Sequence, residues 1–499
     1  MTDWTRVPVV VGGGQVTNRQ EDPAAAPDPF DLMVQATGLT LSGAGSAAVA
    51  DIDHLWMVHS LSLRHGDPAP VLAGRLGITG AETRVSGMGG NIPQWLVNRA
   101  AELVATGTRP RVLIAGAEAL ATRRRARKLG IELDWPSAPG WPETWPPLEP
   151  DVGTHPVERE HGLVQATTMY ALIESALAHA AGRGPEAQRR AMGELMARFN
   201  AVAAANPLSW FGTRRDGTEI ATATPDNRMI CFPYPKYCNA VMDVDMGAAV
   251  IVTDAATARA WGLAPDEVAY VGGWADAHEV WYLSEREQVH TAPGLVACAR
   301  SALGSAGVTM DDVGAFDLYA CFPSSIEVAR DSFGLAPDDP RPLTLTGGLQ
   351  YHGGPGSNYV THSVANTLDW LRAGHGDVAL VHGNGYFLTK QAVGVYTGRP
   401  PAAAPAPPDG LQERIDAHAT TVPVESSAAG PGTILAYTVT YERDGRPGDG
   451  VMIVNIGEGR SHTVARTDPA TSGVLVSEDA VGAAVTLSPS DQGNVARLT

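Results

Sequence analysis

The 499-residue sequence predicts an α/β fold built from a repeated layer, with an irregular segment inserted in its first half and a small all-β domain at its C-terminus. Three observations carry this. Strands alternate with helices up to about residue 120 and again over 266–398, which implies a largely parallel sheet. A helix followed by RVLIAGAE (111–118) has a counterpart in a helix followed by DVALVHGNG (377–385), at the matching place in the second half. After Thr397 the stiff linker GRPPAAAPAPPDG leads into a tail of alternating, β-branched residues, as in a small barrel or sandwich.

In order, Val7–Val11 is a short apolar strand ending in Gly12-Gly13-Gly14, and Asp28–Thr40 has helical spacing with Asp28 as N-cap and Pro29 first in the helix. Ile52–Val58 reads as a strand, Ile92–Ala105 as a helix and Arg111–Ala115 as a buried strand. Residues 121–240 change texture: a basic run, TRRRARK, then WPSAPGWPETWPPLEP, then amphipathic helices near Val164–Ala181 and Pro185–Ala204. This reads as an insertion over a sheet edge. Sheet grammar resumes with strands Gly247–Thr253 and Val268–Gly272 and the helix Ala292–Ala306. The second pass brings Phe316–Cys321, helices Ser324–Phe333 and Tyr359–Ala373, and the strand Asp377–His382. In the tail TILAYTVTYE, VMIVNIGE, SHTVART and a stretch near Val474 read as strands. The expected units are 1–120 with 241–265, the insert 121–240, 266–398, the linker 399–410, and 411–499.

Composition excludes several classes. The net charge of −18 opposes general nucleic-acid binding, which needs basic surface to displace counterions. No apolar run reaches the ~20 residues of a membrane helix, and MTDWTRVPVVVGGGQ lacks a signal-peptide pattern, so a cytoplasmic location is expected. Four scattered cysteines without a C-x-x-C pair point to neither a disulfide framework nor a zinc site, and no metal is expected.

RVLIAGAEA (111–119), DMGAAVIVTDAATARAWGL (245–263) and TGGLQYHGGPGSNYVTHSVANTL (346–368) resemble the thiolases over about residues 5–398. The resemblance implies a duplicated, layered αβαβα fold with an inserted loop domain, acting on coenzyme A thioesters. It also implies four chemical parts: a nucleophilic cysteine at a helix N-terminus, an activating histidine in a Gly-His-Pro loop, a second cysteine that moves the α-proton, and an Asn-Glu-Ala-Phe oxyanion segment. Here all four slots differ. RVSGMGGNIPQW (84–95) puts Gly87 or an immediate neighbour at the nucleophile, Gly354 stands for the histidine with His352 two residues earlier, Val381 or His382 stands for the second cysteine, and Tyr319-Ala320-Cys321-Phe322 replaces the acidic segment. The chain thus resembles a degenerate, thiolase-like branch related to the sterol-carrier thiolases.

That resemblance implies coenzyme A or acyl-CoA as substrate or ligand, with no permanently bound cofactor. Some members of the branch cleave aldol-type adducts with tyrosines, so Tyr319 and Tyr351 are candidate acid/base residues, joined by His352 and His382 on opposite arms of the expected cleft. Backbone N–H groups at Gly87, Gly89, Gly353, Gly354, Gly383 and Gly385 could face a thioester oxygen, and Arg123, Arg124 and Arg125 could meet phosphates. Ser86 lacks a general base, and Cys321 lacks a helix N-terminus to activate it. The tail, through AGPGTILAYTVTYERDGRPGDGVMIVNIGEGR, resembles the OB-fold proteins that accompany such enzymes, but without the basic groove and aromatics of a single-strand binder. Three functions follow as alternatives: tyrosine-assisted retro-aldol cleavage of a 3-hydroxyacyl-CoA, non-catalytic carriage of CoA esters in lipid or sterol metabolism, and an ordinary thiolase reaction through Cys321. Homodimer and monomer are both expected states, because Pro93, Trp95 and the extra domain alter the face through which thiolases pair.

Overall fold

Strand β1 (Pro8–Thr17) runs straight through the triple glycine instead of stopping at Val11. The reason is close packing on both faces. A Cβ on Gly12 would lie 2.6 Å from the carbonyl oxygen of Thr40, and one on Gly13 would lie 2.8 Å from Cα of Ala365. The glycines therefore let the helices Pro29–Ser42 and Tyr359–Arg372 approach β1 from opposite sides. The computed structural model describes residues 3–42, 51–149, 151 and 153–499; Pro150, the last residue of the proline–tryptophan stretch, lies outside them.

The first half continues with β2 (His54–Met57), β3 (Glu82–Ser86), β4 (Val112–Ala119) and the two-residue β5 (Thr144–Trp145). The insert adds β6 (Met229–Cys231) and β7 (Tyr234–Pro235) before β8 (Asp245–Asp254). The second half supplies β9 (Ala269–His278), β10 (Ala315–Asp317), β11 (Val378–Gly385) and β12 (Lys390–Thr397). The sheet order is β10-β11-β12-β9-β1-β8-β4-β2-β3-β5. Its two halves repeat one pattern: β2-β4-β8-β1 corresponds to β10-β11-β12-β9, and β1 meets β9 at the join. The matched segments RVLIAGAE and DVALVHGNG occupy equivalent strands, β4 and β11.

The sheet is less parallel than expected. Only the β2–β5 group and the pair β10–β11 are parallel, whereas β4–β8, β8–β1, β11–β12 and β12–β9 are antiparallel. Residues 386–389 join β11 to β12, and so short a connection permits only a hairpin. The helices Ile92–Ala105 and Tyr359–Arg372 contact strands of both halves and form the middle layer, while Pro29–Ser42 and Pro293–Ala306 cover the outer faces. The αβαβα layering is therefore present.

The tail folds as β13 (Gly430–Tyr441), β14 (Pro447–Ile456), β15 (Ser461–Thr467), β16 (Ala484–Ser490) and β17 (Gly493–Leu498). Pairings run β13-β14-β15-β17-β16 and back to β13, closing a five-stranded barrel in which only β15–β17 is parallel. Val474 is helical, not extended: Asp468 caps the helix Pro469–Leu475 by accepting from Thr471 N, and Pro469 sits in its first turn. Ile434, Tyr437, Met452, Val454 and Ala465 fill the barrel core.

The insert is tied to this barrel. Cys231 of β6 pairs with Thr440 of β13, Phe232 N donates to Val439 O at 2.7 Å, and the Phe232 and Tyr437 rings stack at 5.8 Å. The other end of the insert closes a sheet edge. Thr144 and Trp145 pair in parallel with Val85 and Ser86. Among the described residues no helix is long and apolar enough to cross a membrane.

Candidate active site

Strand β3 delivers Ser86 to the turn at 87–91, and the helix Ile92–Ala105 begins there, as the sequence predicts. Ser86 is occupied structurally: its Oγ accepts from His59 N at 3.0 Å and donates to Gly87 O at 2.9 Å. The decisive contact lies a few residues further on. A Cβ on Gly90 would fall within the Tyr319 phenol, overlapping Cζ and the hydroxyl. Tyr319 thus fills the volume that a side chain at Gly90 needs, while at Gly87, the expected nucleophile position, a Cβ would lie 2.9 Å from the carbonyl oxygen of Pro146 of the insert.

Neighbouring glycines serve the same plug. Gly89 adopts φ +140°, donates its N–H to Ser357 Oγ at 3.1 Å, and has Asn91 Oδ1 2.5 Å from where its Cβ would be. Asn91 also takes the space above Gly383 and Gly385 on β11, where a Cβ on Gly383 would meet Asn91 Cα at 2.9 Å. Asn91 Oδ1 is buried without a hydrogen-bond partner. Over this corner lies Lys390, whose Nζ donates to Met88 O at 3.0 Å and pairs with Glu149 at 3.1 Å; Tyr386 donates its hydroxyl to Glu149 at 2.6 Å. Burial pulls the Lys390 amine below the usual lysine range against the opposing pull of Glu149. Sequence reasoning missed Asn91, Glu149, Tyr386 and Lys390; the Gly383-x-Gly385 spacing was the available signal, since each glycine leaves room for one intruding side chain.

Of the four expected catalytic residues, Tyr319 and His352 pack edge-on against one ring, Tyr359, at 5.9 and 6.1 Å, while Tyr351 and His382 have other neighbours. Tyr319 is at the helix mouth, its hydroxyl makes no hydrogen bond among the described residues, and burial holds it in the phenol form. Tyr351 is buried with its hydroxyl unpartnered, and its electrostatic neighbours Cys238, Arg215 and Glu219 all belong to the insert. His352 is fully buried beneath the insert, with Nδ1 3.2 Å from Ser209 Oγ, and its ring meets His362 edge-on at 5.1 Å. His382 faces Gln391, with Nε2 3.0 Å from Oε1, and Phe333. Desolvation lowers His352 to about 3 and His382 to about 4, so both are neutral and poor proton acceptors at pH 7. The expectation that they line two arms of one cleft is corrected: each turns into packing of its own.

The second glycine loop is likewise filled. Gly353, at φ +112°, lies against Met246, whose Sδ would be 2.7 Å from a Cβ at this position, and Gly354 N already donates to Val241 O at 2.8 Å. Of the arginines, Arg125 is structural, donating to Asp245 at 2.9 Å and to Gln20 O at 2.8 Å. Arg124 pairs with Asp243 at 3.0 Å. Arg123 donates to Leu61 O at 3.1 Å and Ser62 O at 3.3 Å.

All four thiols are buried and free, and burial pushes the Cys321 thiol up to about 12. A thiol held protonated is a poor nucleophile. Native protein at pH 8 should therefore resist iodoacetamide at every cysteine and react at all four in denaturant, read by intact mass. Stoichiometric alkylation of native Cys321 would revive the thiol mechanism.

Glu118 closes the set. Its carboxyl accepts from the backbone N–H groups of Leu61 at 2.7 Å and Ser62 at 2.8 Å, and from the Ser62 hydroxyl, yet complete burial raises it to about 7. A carboxyl that holds its proton more tightly when folded stabilises most below its unfolded value near 4.5, and loses that contribution as pH rises through about 7. The stability difference between wild type and Glu118→Gln should therefore change by about 3 kcal/mol between pH 4 and 8, in favour of Gln at high pH, by urea unfolding. A pH-independent difference would show that Glu118 is ionised throughout.

Comparisons with known proteins bear on the fold. The family described as "Thiolase-like protein type 1 additional C-terminal domain" matches residues 410–492. The chain is similar to a monomeric SCP2-thiolase-like protein type 1 from Mycobacterium smegmatis, at 33% identity over 100% of both chains with a TM-score of 0.86. The Ltp2-ChsH2(DUF35) aldolase aligns at 19% identity over 80% of this chain and 99% of that one, TM-score 0.58. Human mitochondrial 3-ketoacyl-CoA thiolase in complex with CoA aligns at 16% identity over 79% and 98%, TM-score 0.54. The last two show the shared fold alone. No curated protein matches by sequence.

Proposed function

The chain belongs to the SCP2-thiolase-like proteins of type 1, and from that premise we propose that it binds acyl-CoA thioesters without forming an acyl-enzyme, as a carrier within lipid or sterol metabolism. The observation that carries the proposal is the Tyr319 phenol in the volume a side chain at Gly90 would need. Acyl transfer requires a nucleophile at that mouth, and neither the backbone nor the four buried thiols provides one. Supporting it, a thiolase of the same fold binds CoA. A cytoplasmic, monomeric protein fits the reading, the M. smegmatis neighbour being described as monomeric.

One observation favours a second reading. The Tyr319 hydroxyl at the helix mouth makes no hydrogen bond among the described residues, which leaves it free to exchange a proton with a 3-hydroxyacyl-CoA bound beside it. In retro-aldol cleavage a base takes the 3-hydroxyl proton, the Cα–Cβ bond breaks to give a carbonyl compound, and the enolate left on CoA is protonated at Cα. Burial holds both the Tyr319 and the Tyr351 phenols protonated, so neither is a ready base, which is why binding is the stronger reading.

Intact mass spectrometry with excess acyl-CoA, beside equilibrium binding, tests the proposal. Expected are saturable binding, no covalent increment and unchanged affinity in Tyr319→Phe. A trapped acyl adduct overturns it; cleavage of a 3-hydroxyacyl-CoA that Tyr319→Phe abolishes replaces it with the aldolase reading.

A further inference from the structure

The C-terminal unit leaves a cleft of about 650 Å³ against the second half of the doubled layer, with no lining residue in common with the plugged helix mouth. The chain beyond the linker is pinned at two points. Gln412 holds its start, accepting from His278 N at 2.8 Å and donating to His278 O at 3.2 Å. Further on, Thr421 pairs with Arg286, and Val422 N donates to Glu285 O at 2.9 Å. Between these points the helix Leu411–Asp416 and the residues up to Thr420 run beside the helix Pro293–Ala306, and the cleft opens between them.

Both walls are amphipathic. On the longer helix Pro293, Ala297 and Arg300 recur at i, i+4 and i+7, which places them on one face. On the shorter one Leu411, Arg414 and Ile415 do the same at i, i+3 and i+4. Each helix thus brings apolar surface and one guanidinium to the cleft. The polar groups of the floor are already engaged. Buried Glu279 accepts from Gly294 N at 2.8 Å and Leu295 N at 3.0 Å, so the start of the longer helix is satisfied from within the fold. Buried Arg286 donates to Val280 O at 2.9 Å, Phe387 O at 2.9 Å and Thr389 Oγ1 at 3.0 Å. The rim differs. Arg300 is exposed and makes no side-chain hydrogen bond or ion pair among the described residues. Arg414 is exposed too, and its guanidinium donates to a carbonyl, Asp409 O at 2.6 Å, with no carboxylate partner among them. Glu287 is the one exposed carboxylate of the lining, and it pairs with neither.

We infer that this cleft is a binding site for a small amphipathic carboxylate, its acid group at the Arg300 and Arg414 rim and its apolar body against Ala297, Leu411 and Ile415. A guanidinium bonds a carboxylate through two parallel N–H···O contacts, and two such groups without carboxylate partners at one rim suit an anion. The volume falls in the range of small-molecule sites, about 300–1,000 Å³. The site goes beyond the thioester reading: it needs neither a thioester nor the helix mouth, and one of its walls belongs to the C-terminal unit.

Calorimetric titration of the full chain with 2-naphthoate and its neutral counterpart 2-naphthamide tests this. Naphthoate should bind saturably, and naphthamide at least about tenfold more weakly. Arg300→Gln and Arg414→Gln should each weaken naphthoate about tenfold and leave naphthamide unchanged. Ala297→Trp, which fills the cleft, should abolish binding of both. The arginine variants change exposed side chains and should keep the wild-type Tm, so they decide the matter even where Ala297→Trp does not fold. Lys128→Gln, outside the lining, should leave affinity intact. No saturable naphthoate binding, equal affinity for the two probes, or an equal loss in Lys128→Gln overturns the inference. Acyl-CoA affinity of Arg300→Gln should match wild type, so failure of either reading leaves the other standing.

Discussion

Gly90→Ala is expected to destabilise the protein by about 2–3 kcal/mol, although it adds a single methyl group, because that methyl must displace the buried Tyr319 ring. Tyr319→Ala alone should cost about 3–5 kcal/mol, the range for emptying an aromatic volume in a core. The two together should cost clearly less than their sum, since each creates what the other lacks: one brings a methyl without space, the other space without a side chain. Tyr319→Phe should lie within about 0.5 kcal/mol of wild type, as its hydroxyl makes no hydrogen bond to lose. Urea unfolding of the four proteins measures all of this. A neutral Gly90→Ala would mean that Tyr319 swings aside freely, leaving the helix mouth open to substrate and the plugged-site account untenable. Gly90→Cys combined with Tyr319→Ala should fold yet remain inactive in thiolysis, because His352 and His382 stay neutral and turned away.

Trp145→Ala should bring self-association. Strand β3 is next to last in a ten-stranded sheet, and among the described residues only Thr144 and Trp145 pair with its outer side, at Val85 and Ser86. Trp145 is fastened by Trp95 at 4.7 Å, by Trp56 at 5.1 Å and by the Arg84 guanidinium at 4.6 Å. Removing the ring frees unpaired backbone donors and acceptors on β3, a template for the same strand of a second copy. Because Trp145 is only partly buried, the accompanying stability loss should be up to about 3 kcal/mol. Sedimentation velocity at micromolar concentration reads the outcome: monomer for wild type, a concentration-dependent dimer for the variant. A variant that unfolds no more readily and stays monomeric would show that the edge is guarded by something other than the tryptophan strap, and Arg84→Ala then tests the rest of it.

Much of the scaffold was legible because it is written in local pattern. The helix Ile92–Ala105 matches its sequence limits, with Pro93 in its first turn, and the helix Tyr359–Arg372 differs from expectation by one residue. Strand limits were less legible. Phe316–Cys321 shrinks to Ala315–Asp317, since Leu318 N donates instead to Leu343 O outside the sheet ladder. Val474 looked extended by its β-branched neighbours, but the Asp468 cap, followed by Pro469, decides for a helix.

The doubled α/β layer, the barrel and the glycines at the helix mouth were all readable along the chain, because period, turn residues and the absence of a side chain are properties of neighbouring residues. The reason those glycines are there emerges only in three dimensions. Gly90 belongs with Tyr319, Gly383 with Asn91, and Arg300 with Arg414, pairs far apart in the chain. A glycine in the sequence shows that a volume has been given up, but which distant side chain fills it depends on how the layers stack, and close packing leaves room for one occupant.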